Sequence, residues 1–228
     1  MYSKAEINIL KKFYPVYGSK VQQFLPDRTI DSIDHEVRKL GIRFGLFNDE
    51  EEAFLDIETT NLNADFAYML SYAIKVKSTD LIISNVITKE EIFSGNFDKR
   101  LVQDCVTTLS KFKRIYTYYG TRFDIPFLRT RAVYHGIDFM PFGLIQHQDL
   151  YFLVRNKFKF SRNRLEGVTE FLGIDGKTKL DGNIWVRATI GDKKALVYIL
   201  EHNIADVVIL EKLYNRIRTY AGVNRTSI

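Results

Sequence analysis

The sequence predicts an α/β fold in which a mixed five-stranded sheet, three antiparallel strands then parallel strands, is flanked by helices and preceded by a small three-helix module. Three observations predict it. The pattern changes near residue 45, from helical spacing to strands alternating with helices. Three β-rich runs then follow one another as antiparallel partners: AFLDIETT, FAYMLSYAIKV (66–76) and LIISNVI (81–87). Two later strands, RIYTYYG (114–120) and the start of IQHQDLYFL (145–153), are each preceded by a helical segment.

The elements follow in order. Ile7, Leu10 and Phe13–Tyr14 supply one apolar face of a first helix, which Pro15 and Gly18 break. GSKVQQFL is a short second helix, and PDRT a turn with Asp27 or Thr29 available as N-cap. In the third helix Ile30, Ile33, Val37 and Leu40 recur at helical offsets until Gly41 ends it. The boundary falls in FGLFNDEE (44–51), giving domains 1–45 and 46–228. After the first three strands, 89–112 is largely helical, with Leu101, Cys105, Val106 and Leu109 on one face; Cys105 is a small core residue there. A helix starts just after Asp124, 145–153 runs from strand into helix, and helices follow at 165–173 and 195–217.

Composition narrows the class. No apolar run reaches the roughly 18 residues of a membrane span, and MYSKAEINILKKF lacks a signal-peptide core. A single cysteine excludes an internal disulfide framework and a cysteine-based zinc cluster. The expectation is a soluble, intracellular, cytoplasmic protein with no membrane partner. The formal charge of +5 fits a phosphate-rich partner but does not by itself identify one.

Acids recur where burial is expected. In FLDIETTNL (54–62), strand alternation puts Asp56 and Glu58 on one face, and Leu55 and Ile57 on the other. The two carboxylates stand roughly 7 Å apart, at about 3.3 Å rise per residue, and need a cation or donors. Asp124 follows a strand and a glycine turn in YYGTRFDIPFL. Asp206 lies deep in the last helix, flanked by Ile204, Val207 and Val208 in HNIADVV.

FLDIETTNL, YYGTRFDIPFL and HNIADVV, in that order, resemble the three exonuclease motifs of the DEDD (DnaQ-like) 3′–5′ exonuclease superfamily, which has an RNase H-like fold. The resemblance covers 51–220 and is nearest to family-B polymerase proofreading domains and stand-alone predicted RNase H-like exonucleases. It implies a hydrolase using two divalent ions, Mg²⁺ or Mn²⁺, held by Asp56, Glu58, Asp124 and Asp206. Asp56 would bridge the ions, Glu58 and Asp206 would complete the water-activating site, and Asp124 would serve the second ion through water. The substrate implied is nucleic acid, with DNA placed ahead of RNA. The rival readings are a structure-specific endonuclease or ribonuclease on the same site, and a non-catalytic DNA-binding regulator. The sequence carries no polymerase domain, so proofreading in cis is not expected.

The superfamily divides by the water-orienting residue before the last acid. At 100° per residue, His202 lies about 40° from Asp206 around the helix, and Glu201 about 140°. His202 is therefore the candidate for orienting or deprotonating the water; a direct metal ligand or a merely packing histidine are the alternatives, and Tyr198 is the fallback. Tyr119 stands where the relatives have Asn, and Asn61 where they often have Gly. Asp149 matches an acid often found on the strand of 145–153; its reading is supportive or simply structural.

Substrate contacts implied by the family are Thr59, Thr60, Asn61 and Leu62. VRNKFKFSRNR (154–164) interleaves Arg155, Lys157, Lys159, Arg162 and Arg164 with Phe158 and Phe160, which suits a single strand or a solvated loop with core-facing phenylalanines. Arg122 and Arg129 flank the second motif and are further candidates for reaching phosphate. Upstream, YPVYGSKVQQFLPDRTIDSIDHEVRKLGI resembles Myb/SANT-like helix-turn-helix modules, which implies a third helix in the major groove. The exposed positions of that helix include Asp31, Asp34 and Glu36 against Arg38 and Lys39, so its outward face is not clearly cationic, and His35 faces solvent. Docking of a replication or repair protein and a purely structural cap remain alongside DNA binding.

Overall fold

The computed structural model describes residues 2–42, 52–176 and 181–221, so the boundary segment 44–51 lies outside the described residues. The N-terminal part holds α1 (Lys4–Tyr17), a 3-10 helix (Gly18–Phe24) and α2 (Ile30–Lys39). Leu10, Val21, Leu25, Ile33 and Val37 form its core. Thr29 caps α2 by accepting the Ser32 N–H. Two expectations are corrected. The first helix runs through Pro15, which near a helix end forfeits one hydrogen bond without ending the helix. Asp34 is not on the outward face: its carboxylate accepts from Tyr14 and Ser19, tying α2 to the preceding elements. His35 is exposed, as expected.

The second part is a five-stranded sheet in the order β3-β2-β1-β4-β5. Its strands are β1 (Glu52–Thr59), β2 (Met69–Val76), β3 (Ile82–Val86), β4 (Arg114–Thr117) and β5 (Gln146–Asp149). The β1–β2 and β2–β3 pairs are antiparallel, and β1–β4 and β4–β5 are parallel, as the sequence predicts. Helices are α3 (Lys89–Phe93), α4 (Lys99–Leu109), α5 (Asp124–Tyr134), α6 (Leu150–Lys157), α7 (Leu165–Phe171), α8 (Gly182–Thr189) and α9 (Lys193–Ile217). The helical stretch 89–112 is broken between α3 and α4, where Gly95 and Phe97 both take positive φ. The α8 helix is an addition to the sequence reading, although Asp181 is its N-cap and Gly191 closes the turn beyond it.

Alternation along β1 divides the interior. Ala53, Leu55 and Ile57 enter the large core with residues of α4 and α5. Phe54 turns the other way, onto Val207, Leu210 and Tyr214 of α9. Each fully buried Leu or Ile contributes roughly 1.5–3 kcal/mol, and that fixes the register against a one-residue slip. Asp56 and Glu58 must therefore face the α9 side. Cys105 is buried and free in the large core, where desolvation pushes its thiol up, in keeping with a packing role. Among the described residues, no helix is long and apolar enough to cross a membrane.

One buried ionic cluster locks α4, α5 and β2 together. Asp98 is fully buried; one oxygen accepts the Met69 N–H at 2.7 Å, and the other meets Arg131 at 2.6 Å and His135 at 2.7 Å. Partners 33 and 37 residues away make this network invisible to local sequence reading.

Candidate active site

Three elements supply the acids. β1 carries Asp56 and Glu58 to its C-terminal end, α5 begins at Asp124, and the middle of α9 carries His202 and Asp206. They line one cleft of about 540 Å³ together with Leu62, Arg122 and Phe123. Ligand-type atoms of Glu58, His202 and Asp206 all lie within 4.8 Å of one another. The His202 Nε2 atom stands 3.7 Å from Glu58 Oε1 and 3.6 Å from Asp206 Oδ2. These separations exceed a hydrogen bond and suit donors arranged around a shared cation or water.

Asp124 is only 3% exposed, and one of its oxygens accepts the Ile57 N–H at 3.2 Å, linking α5 to β1. Burial raises its pKa to about 7, and the negative charge of Asp149 pushes the same way. Without a cation this carboxylate is therefore costly to ionise. Its contribution to stability is full below the unfolded-state value of 3.8 and is lost as pH rises to about 7. Replacing it by asparagine, which can still accept the Ile57 N–H, removes the penalty. We expect Asp124→Asn to raise the melting temperature in EDTA at pH 8 by roughly 2–8 °C, the equivalent of about 1–2 kcal/mol, and to do little at pH 4.5. An unchanged or lowered melting temperature at pH 8 would refute the account.

The loop between β4 and α5 is shaped from outside. Asp149, at the end of β5, accepts the N–H of Tyr119 at 2.8 Å, of Thr121 at 2.9 Å and of Tyr151 at 3.0 Å. Its role is thus to hold the loop and cap α6. Tyr119 sits at φ 68°, a left-handed conformation that Asn adopts more readily, while its ring packs edge-on against Tyr151 at 4.8 Å. Gly120 admits no side chain, because a Cβ there would lie 2.3 Å from Thr117 Oγ1.

The predicted contact residues divide. Leu62, 76% exposed, and Arg122 line the cleft beside the acids. Thr59, Thr60 and Asn61 build the turn behind Leu62: Thr59 donates to the Asn61 carbonyl, Thr60 accepts the Tyr68 N–H, and Asn61 accepts the Leu62 N–H. Lys159 and Arg162 border a separate cavity, and Lys157 ends α6 exposed. Arg129 lies over the Phe139 ring and is not among the residues lining the cleft. Tyr198 packs into the large core, leaving His202 as the α9 residue beside Asp206 in the cleft. Sequence reasoning passed over Tyr118, Phe123 and Leu165, which also line the cleft. Phe123 stands beside Asp124, and adjacency to the second motif was the available signal.

A profile of the RNase_H superfamily matches residues 53–218. A DNA polymerase of Methanocaldococcus jannaschii is 40% identical over 58 residues, which are 23% of this chain and 4% of that protein. Among solved structures, the family B DNA polymerase of the hyperthermophilic archaeon Pyrobaculum calidifontis superposes with a TM-score of 0.59 at 18% identity, covering 74% of this chain and 24% of that one. The chain therefore corresponds to a minor part of each polymerase, and the second likeness concerns the fold. With the sheet order, the helices packed on both of its faces and a profile match running from β1 to the end of α9, the chain belongs to the RNase H superfamily.

Proposed function

We propose that this protein is a metal-dependent 3′–5′ exonuclease of the DEDD type that hydrolyses phosphodiester bonds of DNA. The observation that carries the reading is the meeting of Asp56, Glu58, Asp124, His202 and Asp206, from three separate elements, in one cleft. The donor set fits hard divalent ions: four carboxylates and an imidazole, with no thiolate in the cleft. When bound, a pair of Mg²⁺ or Mn²⁺ ions supplies Lewis-acid activation of water and stabilises the leaving oxyanion.

The chain's own groups divide the rest. Asp56, Glu58 and Asp206 would hold the ion that activates water, and Asp56 with Asp124 would hold the other. His202 orients the attacking water or takes its proton. Leu62 and Arg122 contact the terminal nucleotide, the first by apolar cover and the second by charge. The N-terminal module would direct the nuclease to DNA or to a replication or repair protein.

The test uses single- and double-stranded DNA and RNA labelled at either end, with a circular single strand as control. The expectation is Mg²⁺-dependent shortening from the 3′ end of DNA and an intact circle. Cutting of the circle would make the enzyme an endonuclease, preference for RNA a ribonuclease, and no cutting at all would end the nuclease reading. His202→Gln is expected to lower kcat by about 10²- to 10⁴-fold, the range for a lost general base. Metal affinity measured by calorimetry should change only a few-fold; a parallel collapse of both would make His202 a ligand instead.

A further inference from the structure

A second cavity, of about 700 Å³, is distinct from the acidic cleft. It lies under the loop joining α6 to α7, between Lys159, Arg162 and Arg164 on the loop and Phe171 on α7, with Phe160 beside them. Phe171 is 75% exposed although it is a large aromatic. It meets Phe160 edge-on at 5.5 Å, and Phe160 is itself anchored against the Val154, Val168, Leu213 and Ile217 cluster. One ring is therefore fixed by the core and the other is presented to solvent. Phe171 therefore presents a ring beside three cations, the pairing of features on which a base can stack while its phosphates meet positive charge.

The cavity adjoins the acidic cleft. Tyr118, which lines that cleft, donates its hydroxyl to the Asn163 carbonyl of the loop at 2.7 Å. Leu165 lines the cleft, and its neighbour Arg164 lines the cavity. A polymer whose end occupies the cleft can thus continue into the cavity without leaving the surface. The α7 wall also carries Glu166 and Glu170. They repel phosphates from that wall, leaving the loop cations as the phosphate track and the aromatic rings as the base-stacking side.

We propose that this cavity binds the single-stranded run of nucleic acid that leads into the acidic cleft, its phosphates on Lys159, Arg162 and Arg164 and a base stacked on Phe171. The proposal rests on the nuclease reading for direction, but not for binding. Single-strand grooves combine these two features, a cationic track and sequence-tolerant stacking. A duplex has no unstacked base to offer, so the cavity discriminates against it.

The test is fluorescence anisotropy of oligothymidine and oligouridine of about 12 nucleotides, a length such grooves accommodate, measured in EDTA so that no cleavage intervenes. Phe171→Ala is expected to weaken binding roughly 5- to 100-fold, the loss for one stacked base. Arg162→Ala should lower the slope of log affinity against log salt by about 0.7, one phosphate contact on a single strand. Hydrolysis of a trinucleotide, which occupies only the cleft, should be unaffected by Phe171→Ala. Equal binding of the long oligonucleotide by wild type and both variants, or equal losses on blunt duplex, would overturn the proposal. Binding with these losses but no hydrolysis of any substrate would keep the cavity and refute the nuclease; hydrolysis with unaltered binding would do the reverse.

Discussion

Asp56→Asn and, separately, Asp206→Asn are expected to reduce Mg²⁺-dependent cleavage on the order of 10³-fold or more, because residues that act as one unit lose nearly everything when one is removed. The two positions are chosen for independence. Asp56 sits on β1, whose register is fixed by Leu55 and Ile57 in the large core. Asp206 sits on α9, held by Val207 and Leu210 against Phe54. Neither substitution removes apolar contact, so circular dichroism and thermal melting should remain those of a folded protein. Asp206→Asn also breaks the group formed with Glu58 and His202. Calorimetric titration with Mn²⁺ should therefore lose its tightest phase. If both variants cleave within a few-fold of wild type, the acids are not the metal site, whatever their convergence suggests.

Asp98→Ala is expected to cost about 3–5 kcal/mol, since it leaves a buried cation without its counter-charge. Arg131 is 5% exposed and is held by Asp98 through both Nε and Nη2. The Met69 N–H at the start of β2 loses its acceptor as well. In a chain of this size, each kcal/mol lowers the melting temperature by about 2–4 °C, so the midpoint should fall by roughly 6–20 °C. The double variant Asp98→Leu, Arg131→Met removes both charges and should recover much of that loss. A single variant that melts within about 2 °C of wild type would show the cluster to be solvated rather than buried.

Much of the sheet-bearing part was legible because its signals are local. Alternation in β1 placed Asp56 and Glu58 on one face, and the structure shows which face. Helical spacing placed His202 beside Asp206. The failures trace to forces that act across the chain. Phe66 was read into β2, yet it is 82% exposed in the turn before the strand, which begins at Met69. Asp34 looked like an outward charge until α1 and the 3-10 helix brought Tyr14 and Ser19 to it. Asp98 gave no hint at all, since nothing near it in sequence announces a buried arginine. The basic, phenylalanine-bearing loop after α6 is open between two readings in the sequence, and the fold packs both of its rings, Phe158 and Phe160, against the core; the exposed ring is Phe171, outside that motif.

The grip of Asp149 on the loop after β4 also governs how the site can be disturbed. A carboxylate from the end of one strand fixes the backbone of a loop that leaves another, so its loss would loosen the segment that carries Arg122 and leads into Asp124 without touching either residue. The turn after β1 is held by other bonds, through Thr59, Thr60 and Asn61, so the two segments bordering the acids are braced separately.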